Sequence, residues 1–152
     1  MDETHLFAQI SRILEENYGR EEKAARVAEA IRHAGDYRWV GVYEVMEDEI
    51  ANVAFNGPGA PVYPRFLITT GLSGAAVTSG ETIVVGDVTE DPRYLTAFGS
   101  TRSEIIVPVV EGVERKVVGT LDVESEEKDA FSEADGSALE RCAVAVAGLF
   151  KA

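Results

Sequence analysis

Apolar positions along this chain switch between helical and alternating spacing, and each switch marks a new element. Leu6, Phe7, Ile10, Ile13 and Leu14 form one stripe at helical spacing, with Gly19 placed to stop the helix. Ala24, Val27, Ala28 and Ile31 form a second stripe, predicting a helix over 21–34 with Gly35 after it. The period then shortens to two. YRWVGVYEVM (37–46) and IANVAFN (50–56) read as strands joined by a turn at EDE. NGPGAPVYP (56–64) is a loop, since it holds two glycines and three of the five prolines. A short strand over 65–69 follows, then a small apolar helix over 72–79 ended by Gly80, then a strand over 82–85. The turn-rich stretch 87–103 (DVTEDPRYLTAFGSTRS) is expected to wrap over something. Two strands over 104–110 and 115–124 form a hairpin turning at 111–114 around Gly112. Ser132 and Asp135 have the spacing of a capping box and open a last helix. That helix is apolar around most of its circumference, more than one sheet face requires, which implies a helical partner: the N-terminal helices or a second subunit.

Sequential strands joined by short turns predict an α+β fold, an antiparallel sheet with helices gathered on one face. The other face is left for the loops and a ligand. The 152 residues fit one domain: N-terminal helices over 1–35, sheet and pocket over 37–124, and a C-terminal helix over 131–151. No repeat or linker divides them.

Charge narrows the partners. Fourteen basic against 27 acidic residues give a net charge of −13, which repels phosphate backbones and disfavours nucleic acid. No apolar run reaches the length of a membrane span, and MDETHLFAQI lacks the order of a signal peptide, so a cytoplasmic location is expected. The one cysteine, Cys142, can form no internal disulfide, and no Cys/His cluster suits zinc. His5 and His33 fall in predicted helices and read as ordinary helix residues. No cofactor and no metal is expected.

Candidate chemistry gathers on three stretches. Alternation in VVGTLDVE puts Val117, Gly119, Leu121 and Val123 on one face, and Val118, Thr120, Asp122 and Glu124 on the other. A hairpin closing around Val113 sets Glu104 opposite Asp122, so three carboxylates meet within about 5–8 Å. Like charges at that distance need solvent or a cation. The plainer reading leaves the strand ends in water. The functional reading is a site for an ammonium group, preferred over a divalent metal because no His is near. In YRWVGVY, Trp39 shares a face with Tyr37, Gly41 and Tyr43, which suits either ordinary core or a planar or cationic ligand. Gly71 and Gly74 allow a close backbone approach, and the helix that starts at Leu72 offers free N–H groups to an anion or an oxygen. Ser73 is not a serine nucleophile, because no GxSxG elbow or His base accompanies it.

YRWVGVYEV, GLSGAAVTSGETIVVGDV, TRSEIIVPV and GTLDVES, in that order, resemble a GAF domain, and within it the free methionine-(R)-sulfoxide reductase group. The resemblance implies a six-stranded antiparallel sheet with helices behind and a closed pocket in front. It places the family's amino-acid-holding Trp and carboxylates at Trp39, Glu104, Asp122 and Glu124, the last a Glu where the family usually has Asp. It also implies redox cysteines at positions that here carry Tyr63, Ser73, and Ala97 or Phe98. Reduction by that route needs an attacking and a resolving thiol, so reductase activity is expected to be absent.

The expectation is therefore a sensory module binding a small polar, amine-bearing molecule through Trp39, Tyr43, Leu72, Ser73, Gly74, Asp87, Tyr94, Glu104, Asp122 and Glu124. It is expected to dimerise through its terminal helices and to signal through a partner protein. Three alternatives stand beside it. One is a nitrate-type receptor using Trp39, Tyr94 and the Leu72 helix start; another is a residual reductase. The third is a scaffold whose pocket is filled by Tyr63 and Phe98. Tetrapyrrole attachment is disfavoured without a pocket cysteine, and the NKFDE-type cyclic-nucleotide signature is not found.

Overall fold

Asp2 opens the first helix, its carboxylate accepting from the backbone N–H of His5 at 3.1 Å. The computed structural model describes residues 1–95 and 99–150. Helices α1 (Glu3–Glu15) and α2 (Arg20–Gly35) are followed by strands β1 (Trp39–Val45), β2 (Glu49–Asn56) and β3 (Arg65–Leu67). Then come α3 (Gly71–Ser79), β4 (Ile83–Val85), a 3₁₀ turn at Val88–Glu90, and strands β5 (Ser103–Glu111) and β6 (Lys116–Ser125). Helix α4 (Glu133–Val146) closes the chain with a 3₁₀ turn at Ala147–Phe150. The strands form one six-stranded antiparallel sheet in the order β3-β2-β1-β6-β5-β4.

Two of the expected stops lie elsewhere. Gly19 does not end α1; it is the N-cap of α2, with φ −68°. Gly35 is the last residue of α2, and the left-handed cap is Asp36 at φ 53°. A Cβ at Gly35 would lie 2.1 Å from the Tyr37 ring, so glycine is required there by packing. Tyr37 in turn precedes the strand and packs with the helices, and its hydroxyl donates to Asp135 at 2.7 Å. It therefore does not share the face of Trp39 and Tyr43.

Helices α1, α2 and α4 cover one face of the sheet. Leu6, Ile10, Val27, Ile31, Val40, Val42, Ile105, Val107, Leu121, Val123, Leu139 and Val146 merge there into one core. α1 packs against both α2 and α4, which supplies from within the chain the helical partner that α4's sequence calls for. Val144 is left 74% exposed on α4. α3 and the loops cover the opposite face over two smaller clusters, Leu72–Ala76–Val85–Val88–Ile106 and Trp39–Tyr43–Ile50. Among the described residues no helix is long and apolar enough to cross a membrane.

A bulge in β6 corrects the expected hairpin register. Glu111 pairs with Lys116 and Val110 with Val117, but Val109 pairs with Gly119, so Val118 has no partner across the strand. The extra residue brings Glu104 opposite Glu124, and Ile106 opposite Asp122. It also turns Val118 into the helix-side core, away from the face of Thr120, Asp122 and Glu124.

Candidate functional site

Strand alternation directs Glu104 of β5 and Asp122 and Glu124 of β6 toward α3. Each offers a carboxylate oxygen, and these oxygens lie within 4.8 Å of one another. All three side chains are buried, Glu124 completely. The Thr101 hydroxyl donates to Glu124 Oε1 at 2.7 Å. Asp122 Oδ1 and Glu124 Oε2 are buried and accept no hydrogen bond among the described residues. Burial, then the charges of Asp122 and Glu124, holds Glu104 well above the usual carboxylate range. Burial, then Asp122, does the same to Glu124. Asp122 is pushed up to about 6, burial outweighing hydrogen bonds with its two neighbours. Burial and the three nearby acids also push the Tyr43 phenol upward, so it stays neutral.

The carboxyls of Glu104 and Asp122 face a hollow of about 20 Å³, closed from the other side by Gly71, Leu72, Ser73 and Tyr63. That is room for one or two water-sized groups, against roughly 300 Å³ or more for an ordinary ligand pocket. Glycine starts α3 because Gly71 adopts φ 72° and comes against Leu95. The first turn of α3, Gly71 to Ser73, lines the hollow, and no acidic residue or capping side chain there offsets the helix's positive end. Ser73 is only 5% exposed, and its hydroxyl bonds to no described residue.

The residues singled out from sequence divide into three groups. Tyr43, Leu72, Ser73, Glu104 and Asp122 meet at the hollow, with Glu124 completing the acid cluster. Trp39 stands beside it, fully buried, stacked on Phe55 at 6.1 Å and donating Nε1–H to Gly59 O at 2.9 Å. Gly74, Asp87 and Tyr94 do not line the hollow. A Cβ on Gly74 would sit 2.6 Å from the Thr69 carbonyl carbon, so packing explains that glycine. Asp87 caps the turn at Val88–Glu90, accepting from Thr89, and pairs with Lys128 at 3.2 Å. Tyr94 lies with Gly74 on a separate outer groove along α3. Ala97 and Phe98 lie outside the described residues. Cys142 is fully buried in α4, behind the sheet, its thiol pushed up to about 12 by burial. Thr101, Phe66, Thr70 and Leu95 are additions that the sequence reading missed. Only Phe66 had a signal, as the inward residue of Arg65–Leu67.

Comparison with known proteins agrees with this fold. A GAF domain-containing protein from Dictyostelium discoideum is 30% identical over 86% of this chain and 81% of its own length. The free methionine-R-sulfoxide reductase of Saccharomyces cerevisiae is 30% identical over 72% of this chain, which spans 61% of that enzyme. The free methionine-R-sulfoxide reductase from Neisseria meningitidis, solved with its substrate, superposes with a TM-score of 0.86 at 30% identity. That superposition covers 97% of this chain and 87% of the other. The family model for the GAF domain matches residues 19–149, everything from the start of α2 to the final turn, and the chain therefore belongs to the GAF domain family.

Proposed function

We propose that this GAF domain binds a free amino acid or a closely related amine and carries out no thiol chemistry on it. One observation carries the reading: three buried carboxylates cluster at a small hollow, lined by Glu104 and Asp122, that no Lys, Arg or His lines among the described residues. The start of α3 faces the same hollow. A ligand with an ammonium beside a carboxylate would answer both signs at once. This also argues against a bare anion such as nitrate, which would meet the acids across about 20 Å³. The related reductases, one of them solved with its substrate, support a small ligand of this class. The ammonium head fits the hollow as it stands. The rest of the ligand would enter by displacing Tyr63, which is 47% exposed at the rim.

The chain's one cysteine supports the non-catalytic part, since Cys142 lies inside the opposite core with its thiol kept protonated. Calorimetric titration with L-methionine, its R-sulfoxide and sodium nitrate tests the reading. Micromolar to millimolar binding of an amino acid, weakened at least tenfold by Asp122→Asn, is expected. Nitrate binding with no response to amino acids defeats it. Loss of methionine R-sulfoxide with dithiothreitol, catalysed by the protein and not by Trp39→Ala, defeats the non-catalytic part alone.

A further inference from the structure

Three carboxylates buried together at the end of one hairpin, beside a hollow that no Lys, Arg or His lines among the described residues, are not readily all ionised. At 4.8 Å or less, like charges away from bulk water repel strongly. Hydrogen bonding within the site agrees. Asp122 Oδ1 and Glu124 Oε2 are buried acceptors without donors, and Thr101 serves only the other oxygen of Glu124. A proton on one carboxyl would provide the missing donor. From the far wall Ser73, 5% exposed and with no hydrogen bond to a described residue, lines the same hollow. It belongs to α3 and so is independent of the acids.

Other groups that pack around the cluster offer no charge. Tyr43 from β1 and the Tyr63 ring from the loop before β3 line the hollow, and Thr101 reaches the cluster from the segment before β5. Leu72 and Ser73 of α3, together with Phe66 of β3, are not titratable. The ion pairs Asp87 with Lys128 and Arg38 with Glu126 join charges that do not line the hollow.

We propose that the Glu104–Asp122–Glu124 cluster stores protons in the ligand-free protein and exchanges them for one ammonium head, so that ligand binding and proton release are a single event. This rests on the amine-binding reading above and adds its regulation. Burial and mutual repulsion displace all three carboxyls upward, so the exchange lies above the ordinary carboxylate range. The sign follows directly: protonated carboxyls cannot answer an ammonium charge, so affinity rises with pH. For one exchanged proton the rise is about tenfold per pH unit below the cluster's midpoint. Size adds a second constraint. A hollow of about 20 Å³ accepts a primary ammonium and rejects a trimethylated one.

Two measurements on the intact chain test the exchange. Carbon-detected NMR of the side-chain carboxyls in the ligand-free protein should show at least one cluster signal titrating at or above pH 6. Titration with methylammonium chloride across the cluster's midpoint, in phosphate and in HEPES, should show proton release that approaches one per cation bound below the midpoint. Tetramethylammonium should not compete. Glu104→Gln and Asp122→Asn should each flatten the pH dependence, and either is informative if the other fails to fold. Cluster midpoints all below pH 6, or methylammonium binding without proton release below the midpoint, overturn the exchange and leave the amine reading standing. Midpoints above 6 with no methylammonium binding at any pH overturn it too, and L-methionine titration then decides the amine reading separately.

Discussion

Leu121 and Asp122 are consecutive residues of β6, both buried, yet they face opposite conditions. Leu121 enters a continuous apolar core closed by α1, α2 and α4. Asp122 enters a face with two smaller apolar clusters, orphaned polar oxygens and a hollow. The contrast shows which face the sheet uses for stability and which carries unfavourable electrostatics. An unpaired buried acid opposes folding, and a site that keeps three of them is organised for something other than holding the chain together.

Substituting these neighbours should give effects of opposite sign. Leu121→Ala removes a fully buried side chain from the larger core and should lower stability by about 3–4 kcal/mol, read from urea denaturation. Asp122→Asn keeps the shape of the side chain and removes one of three competing charges. At pH 8 it should raise the stability of the ligand-free protein, on the order of 2–3 kcal/mol if the amide finds acceptors in the cluster. A loss of stability at pH 8 would mean that the cluster is neutralised by something other than protons.

The pH profile sharpens the same contrast. The folded-state pKa of Asp122 is raised from 3.8 to about 6, and Glu104 and Glu124 also move upward. Their contribution is thus fully present below pH 4 and lost as pH rises through 6 and beyond. Asp87 works in the opposite sense. The Thr89 hydrogen bond, aided by Lys128, holds it at about 2, so its contribution is present above pH 4 and lost as pH falls toward 2. Thermal unfolding of the ligand-free protein should therefore be highest near pH 4–5 and decline toward pH 8. Asp122→Asn should shorten that decline. A midpoint that rises steadily from pH 5 to 8 would contradict the burial of the cluster.

Strands and helices were legible because their apolar positions keep one period over several turns or pleats, and α3 and the capping box carry local signals as well. Register was not legible. The Val118 bulge depends on how the Gly112 turn, with Arg115 also at positive φ, fits the sheet twist, and no spacing rule encodes it. The acid cluster was visible as Asp122 and Glu124 two residues apart, while the pairing of Glu104 with Glu124 was hidden behind that bulge. Asp87 caps a turn and Gly74 packs tightly on Thr69, roles that use the same residue types as ligand binding and that spacing alone does not separate from it. Thr101 had no signal in the sequence. Its role arises only when the segment before β5 folds back over Glu124.

The smallest effect concerns the helix-side layer alone. The Ser132 hydroxyl accepts from the backbone N–H of Asp135 at 3.1 Å, and the Asp135 carboxylate accepts from the backbone N–H of Ser132 at 2.9 Å. Both bonds satisfy donors at the start of α4, which the helix cannot satisfy itself. Ser132→Ala should cost about 1 kcal/mol in urea denaturation. Its cost should be the same at pH 6 and pH 8, because no displaced carboxyl of the cluster takes part. The substitution should also leave amino-acid affinity unchanged, since α4 lies behind the sheet. A change in affinity comparable to that of Asp122→Asn would show that the two faces are energetically coupled, and the separation drawn across β6 would fail.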